Sequence, residues 1–407
     1  MAVTPNAVDV YSRFMEEMFD LKDVIGVSTV WQQFFGKPQF GNSKTIYSPN
    51  SEVVDIDLMG ANERTAQLIP RGSDSRHLGP IQRNTTTQFF STVSRVYPLA
   101  EEMSDITATQ INKRVAGENP YDGRDKFDRM RRLAREYHME HIRRYVRLFE
   151  ILAGSSLLDG QMPAILGTDN ADLVYDWGRN AGNFITPAVP WNNTNADIVG
   201  DLDAAFDQAR QVGKVRPNVL FMAGDVAQAF FNDATIQEFA NNRRIMLVQA
   251  GMMDGVPAQF SDLVSAGADY RGYIQTPQGR RLDLFTYNDF YDDTDGNSQP
   301  YMPDGYAFMA KYGARCDRYF GPSERLPLLS TDMALYTEMF GFSPVALPMP
   351  QNIKGGQIIT PQMFYCDAYR SNDNKKVTIR TQSAPIFAPT ETNAFITFSG
   401  LIESDAS

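Results

Sequence analysis

Residues 122–153 read DGRDKFDRMRRLAREYHMEHIRRYVRLFEILA. Phe127, Met130, Ala134, Tyr137, His141, Tyr145, Leu148 and Leu152 step by three or four, the spacing that gathers side chains on one face of an α-helix. The other side is crowded with cations: Arg124, Lys126, Arg129, Arg131, Arg132, Arg135, Arg143, Arg144 and Arg147. Asp122 is placed to cap the start, and Gly154 to end the helix. At 1.5 Å per residue, about 32 residues make a rod of roughly 48 Å, well beyond the usual three or four turns of a domain helix.

The segments before this rod show little of the periodicity that builds a self-contained core. Val8, Tyr11, Phe14, Met15 and Met18 lie at helical spacing, with Asn6 as a cap after Pro5. An extended arm follows, carrying Trp31, Phe34, Phe35 and Phe40 between glycines and prolines. Residues 44–100 alternate short apolar runs (EVVDIDLM, TTTQFFSTVSRVYPL) with a polar centre, IPRGSDSRHLGP. That pattern predicts a long two-stranded hairpin with a glycine-rich tip. A two-stranded ribbon is marginal alone in water, so arm and ribbon are expected to lie on another surface, that of a second chain.

Beyond the rod and a Gly-, Asn- and Pro-rich loop (167–193), the order changes to helix, strand, helix, helix: DIVGDLDAAFDQARQV, PNVLFMA, DVAQAFFND and ATIQEFANNRRIMLVQA. Two further strands, LDLFTYNDFY and GYAFMAKYG, flank DDTDGNSQPYMPD, whose Asp295-Gly296 fits a hairpin connection. The chain closes on KVTIRTQSAPIFAPTETNAFITFSGL, β-rich and broken by Pro385 and Pro389. A mixed α+β chain results.

Composition narrows the function. At 407 residues, 43% hydrophobic and 21% charged, the chain is globular and excludes disorder. A balance of 38 Lys and Arg against 49 Asp and Glu, a formal charge of −11, argues against a general nucleic-acid binder. The two cysteines, Cys316 and Cys366, give no disulfide framework and suit a reducing cytoplasm. No run approaches the roughly 20 apolar residues of a membrane span, and the start of the chain has no basic-then-apolar leader.

Chemistry-bearing patterns are sparse. His138 and His141 stand three apart on the rod, but HMEH is not HExxH, and the remaining histidine, His77, lies in the ribbon tip. There is no GxSxG elbow, no GxxxxGK[ST] and no GxGxxG. Asp292, Asp293, Asp295 and Asn297 have the oxygen spacing of a calcium loop, yet Ser298 and Asp304 stand where glycine and glutamate are needed, so a solvated turn is expected. Neither a cofactor nor a metal is expected, and no catalytic residue is assigned.

Taken in order, arm, long hairpin, very long helix, α/β segment and terminal strands resemble the Hong Kong 97-type major capsid proteins of tailed phages. Within that fold, NVLFMAGDVAQAFFND, YMPDGYAFMAKYGARCDRYFG and TIRTQSAPIFAPTETNAFITFS are similar to the phage lambda-type major head proteins, the capsid protein E family. The resemblance implies an N-arm (1–43), an E-loop with flanking strands (44–100), a peripheral domain (101–195) with spine helix 122–153, an axial domain (196–375) and C-terminal strands returning to the peripheral domain (376–407). It implies a non-enzymatic virion protein, synthesised in the host cytoplasm, that assembles as pentamers and hexamers of an icosahedral shell around double-stranded DNA. A scaffolding protein, a portal and a decoration protein are the further partners it implies, with no membrane.

A fused scaffolding extension is not expected, because no coiled-coil segment precedes the arm. Residues 50–100 contain no lysine, which argues against the lysine–asparagine cross-links of the wider fold. The assembly contacts are expected at Phe14, Trp31 and Phe34 on the arm, Arg71, Arg76 and His77 at the tip, and Phe89, Phe90 and Tyr97 on the returning strand. A portal or tail-tube subunit, or a cytosolic α/β hydrolase with an unrecognised carboxylate pair, are the alternatives.

Overall fold

The computed structural model describes residues 29–36, 43–48, 51–59, 90–112, 126–165, 173–241, 245–247, 257–293, 296–322, 363–370 and 376–403. The rod is a single helix, Lys126–Leu158, of 33 residues. It runs past Gly154 because the next stretch, Ser155–Leu158, still has apolar surface to bury: Leu157 and Leu158 are both in the core. Gly154 has a different reason to be glycine. A Cβ there would stand 3.0 Å from the Trp31 ring.

The helix ends against side chains from other elements. Its last carbonyls lack intrahelical donors, and Arg179 fills this gap by donating to Leu157 O (2.6 Å) and Leu158 O, while the Thr397 hydroxyl also donates to Leu158 O at 2.6 Å. Gly160 then turns the chain away at φ +66°, a conformation that glycine adopts without a Cβ clash.

Two layers of sheet receive the helix. Its first half packs on a three-stranded antiparallel sheet ordered Tyr365–Arg370, Lys376–Ser383, Ala100–Thr107. Ile106, Ala134, Val377 and Ile379 form a small core between them. Its second half faces the strands Thr45–Tyr47, Cys316–Phe320 and Pro385–Pro389. There Phe149 lies 5.7 Å from both Phe320 and Phe387. The exposed side carries Arg132, Arg135, Arg143, Arg144 and Arg147, as the sequence pattern requires. Pairs such as Arg132–Glu136 (3.1 Å) and Arg144–Glu102 (3.1 Å) are solvated and add little stability.

The second region is built on a seven-stranded mixed sheet. Its order is Phe184–Ile185, Phe395–Phe398, Ala307–Ala310, Val219–Met222, Arg281–Thr286, Asp269–Gln275, Ile245–Leu247. Val219–Met222 is wholly buried, as a strand covered on both faces must be. It runs parallel to Arg281–Thr286, and the intervening chain supplies the helices Gly224–Asn232, Ala234–Asn241 and Ser261–Ser265. Parallel neighbours need such a crossover.

Two expectations are corrected here. The run ATIQEFANNRRIMLVQA is not one helix, because its apolar end, Ile245–Leu247, pairs with Asp269–Gln275 as an edge strand. The strands Arg281–Thr286 and Ala307–Ala310 are not hairpin partners, because Val219–Met222 lies between them. The hairpin in that region is smaller, joining Phe290–Asp292 to Ser298–Pro300. Asn297 donates from its backbone to Asp293 Oδ1 at 2.8 Å, which closes the turn within itself.

Helix interiors ordinarily gain about 1 kcal/mol when glycine becomes alanine. At Gly154 the added methyl meets Trp31, so Gly154→Ala is expected to give no gain in urea unfolding midpoint. Gly154→Leu is expected to cost about 1–3 kcal/mol by overpacking.

Candidate functional site, an assembly surface over buried anchors

The arm segment is not an outlying strand. Residues 31–34 form a single 3-10 turn, Trp31–Phe34, and Trp31 (0% exposed), Phe34 (5%) and Phe35 (1%) are buried in the subunit's own core. Trp31 lies 5.5 Å from Phe221, 5.4 Å from Phe308 and 5.5 Å from Tyr287, all on or beside the seven-stranded sheet. Phe34 reaches Tyr312 at 5.4 Å, and Phe35 meets Phe387 edge-on at 5.2 Å. The turn is therefore a wedge between the long helix and the sheet. Burying such side chains is worth about 1.5–3 kcal/mol each. Trp31 and Phe34 belong to the interior and are withdrawn from the contact surface.

A carboxylate holds the wedge. The first N–H groups of a helical turn have no partner within it, and the residue before this turn, Val30, has no side chain able to cap. Glu150, from the long helix, caps it from outside. Its Oε1 accepts from Trp31 N (2.8 Å) and Tyr287 OH (2.8 Å), and its Oε2 from Gln32 N (3.1 Å) and the Thr29 hydroxyl. Gln32 completes the contact by donating to Val146 O at 3.0 Å. Complete burial pushes the Glu150 carboxyl up to about 7, against the pull of these four bonds. Sequence reasoning passed over Glu150, although it is the sole charged residue in LFEILAGSSLL, residues 148–158.

The ribbon base is also docked, on one side only. Val53–Met59 pairs antiparallel with Phe90–Val96, and strand alternation divides the first strand cleanly. Val54, Ile56 and Leu58 enter the main core, whereas Val53, Asp55 and Asp57 are exposed. Tyr97 is buried too, its ring against Gly321, where a Cβ would fall 2.3 Å from it. Tyr175 ties the base to the body by donating to Val96 O at 2.7 Å. The expectation that the whole ribbon lacks cover in its own subunit is thus corrected for its base, because its inward side chains are apolar at every second position. Phe90 sits opposite Met59 in the register. Phe14, Arg71, Arg76, His77 and Phe89 lie outside the described residues.

What the base leaves outward is apolar in places. Val53 (45% exposed) faces Val96 (55%) across the ribbon, and Leu99 and Met103 (53%) follow along the chain.

The histidine pair is structural. His138 and His141 are buried where the long helix crosses Lys376–Ser383. Thr381 Oγ1 lies 3.4 Å from His138 Nδ1 and 3.1 Å from His141 Nδ1, and Ser104 Oγ stands 2.8 Å from His141 Nε2. Burial lowers both, His138 to about 4 with the neighbouring His141 adding to the effect. Among the described residues no group of three His, Cys, Asp or Glu could hold a metal ion. Cys316 is buried, and that burial raises its thiol well above the ordinary value. Within the described residues no helix is long and apolar enough to cross a membrane.

The arm, ribbon, long helix over a three-stranded sheet, and seven-stranded α/β region together define a phage capsid subunit of the Hong Kong 97-type fold. A crystal structure described as a prophage capsid protein of E. coli CFT073 matches over 98% of this chain and 99% of its own, with a TM-score of 0.58 at 15% identity. The mature capsid protein of bacteriophage PhiM1 matches over 90% and 88%, with a TM-score of 0.42 at 9% identity. A chain of Mycobacterium phage Patience matches over 99% and 92%, with a TM-score of 0.43 at 11% identity. Curated protein sequences provide no match. The family model "Phage major capsid protein E" matches residues 21–336. The chain belongs to that family: it is a virion protein, a structural subunit that assembles with copies of itself into an icosahedral shell.

The histidines give a signed pH dependence. Above their ordinary value of 6.5 both are neutral folded or unfolded. As pH falls below it, the unfolded chain takes up protons that the buried rings refuse, so stability drops until the folded value, about 4 for His138, is reached. For His138 this amounts to on the order of 3 kcal/mol at pH 4. The difference in urea unfolding free energy between the native chain and His138→Leu is expected to shrink as pH is lowered from 7 to 4. A difference independent of pH contradicts the assignment.

Proposed function

We propose that the subunit forms pentamers and hexamers whose contacts are made by the outward face of the ribbon, its tip and the residues ahead of the docked wedge. The observation that carries this reading is the divided ribbon base. One face is committed to the subunit's own core, and the other presents Val53 and Val96 as an exposed cross-strand pair. Phe14, Arg71, Arg76, His77, Phe89 and Phe90 are assigned to the same role. Weak contacts suffice for this purpose. A millimolar contact is worth about 4 kcal/mol, and several made at once per subunit act at high effective concentration.

The shell encloses double-stranded DNA without gripping it. A chain of formal charge −11 does not neutralise phosphates extensively, and tight neutralisation would oppose the packing and release of DNA. Assembly is guided by a scaffolding protein around a portal, with a decoration protein as a further partner, in the host cytoplasm. The subunit itself catalyses nothing. The division proposed for the chain is arm 1–43, E-loop region 44–100, peripheral domain 101–195, axial domain 196–375 and returning strands 376–407.

The test separates surface from interior. Val53→Asp together with Val96→Asp is expected to lower urea stability by about 1–2 kcal/mol, because the two carboxylates face each other across the strands, while closed shells counted by negative-stain microscopy fall at least about tenfold, the effect of losing roughly 1.4 kcal/mol per contact. Trp31→Ala is expected to lower the subunit's own stability further, by about 3–5 kcal/mol. Normal shells from the double aspartate variant would defeat the assignment.

A further inference from the structure

The described surface outside the ribbon offers little that is unexplained. An open hollow of about 690 Å³ is lined by Asn218, Pro257, Ala258, Gln259, Arg281 and Asp283, but its charged pair is already joined at 3.0 Å. The unexplained group is inside, at Glu150. Three elements meet on this one carboxylate: the arm through Thr29, Trp31 and Gln32, the long helix that carries it, and the end of the seven-stranded sheet through Tyr287. Among the described residues no ion pair reaches it, so its charge is met by neutral donors alone. Three of the four belong to the arm and depart with it.

We propose that Glu150 is a proton-operated latch that sets how tightly residues 29–35 are held on their own subunit. With the arm docked, the carboxyl is dry, and burial raises it to about 7. With the arm lifted, water replaces the arm donors and the carboxyl returns to its ordinary 4.5. Between these values the docked form binds more protons than the open one. Acidification through this range therefore tightens docking, and raising the pH loosens it until the docked form is fully ionised. The docked state also carries a standing cost that favours release, because the buried Trp31 indole N–H has no hydrogen-bond partner among the described residues.

The surrounding charges do not reverse the sign. Tyr287 is pushed up by burial and by Glu150 itself. Tyr301, stacked 6.1 Å from Tyr287, is pushed up to about 12, chiefly by burial. Neither phenol ionises between pH 5 and 9. Arg147, on the same helix, acts on Tyr301 in the opposite direction, lowering it. Asp289 is raised by burial and by Asp269, and it lies beyond Tyr287. Residues 29–36 bring no charged side chain.

Hydrogen exchange of the full-length, dissociated subunit, followed by mass spectrometry and corrected for intrinsic rates, reads the latch without any shell. The two titrations predict that opening of the amides in residues 31–35 rises about tenfold from pH 6 to pH 8. The amides of Val219–Met222 should not follow. Glu150→Gln should abolish the rise, and Asp289→Asn should keep it. A flat native profile, an equal rise in Val219–Met222, or a rise that persists in Glu150→Gln overturns the proposal. If Glu150→Gln does not fold, the native comparison of arm with strand decides alone. Because the latch does not depend on the proposed contact surface, a failure here leaves that surface untouched, and the converse also holds.

Discussion

A helical turn of four residues cannot satisfy its own first N–H groups, and when those groups are buried something else must. In this subunit that constraint falls on Glu150, which reaches from the long helix to cap Trp31 and Gln32. The arrangement of the body follows from it. The cap fixes the turn against the helix, the turn drives Trp31 onto Phe221 and Phe308, and the long helix is thereby joined to the seven-stranded sheet through a segment that precedes both in sequence. Gly154 belongs to the same solution, since only a residue without a Cβ lets the Trp31 ring lie that close to the helix.

Such a body suits a shell subunit for a mechanical reason. A protein that must reach its neighbours needs extensions, and an extension without a fixed root transmits no geometry. Here both extensions have roots. The arm is rooted at Trp31–Phe34, and the ribbon at Val54, Ile56, Leu58 and Tyr97. The outward face of the ribbon base leaves Val53 and Val96 exposed. The helix that links the regions is itself closed at its C-terminal end by Arg179 and Thr397, so one side of the subunit is tied to the other through side chains as well as through packing.

Much of this was legible in the sequence, and the failures have identifiable causes. The long helix, its apolar stripe and its arginine face followed from 3.6-residue spacing, which depends only on local geometry. Its true end at Leu158 did not, because Gly154 is excused from its usual role by a tertiary contact with a residue more than a hundred positions away. The aromatic residues of the arm were recognised as needing a surface, but Trp31 and Phe34 carry no mark of whether that surface is their own or another subunit's. Alternation in VVDIDLM does show that one face of the ribbon is buried, with Val54, Ile56 and Leu58 on the inward side. Ile245–Leu247 reads as helix from sequence because a short apolar run carries too few residues to distinguish the two periods. Glu150 is the instructive omission: a lone acid within LFEILAGSSLL is costly to bury without donors, so its presence alone predicts a buried acceptor.

The central claim is that the arm is anchored within its own subunit before any shell exists. Replacing Trp177 and Trp191 by phenylalanine leaves Trp31 as the only indole, and its fluorescence then reports the anchor directly. The account predicts blue-shifted, quencher-protected emission in dilute, dissociated subunits, unchanged on assembly. Solvent-exposed emission that turns blue only when shells form would contradict it.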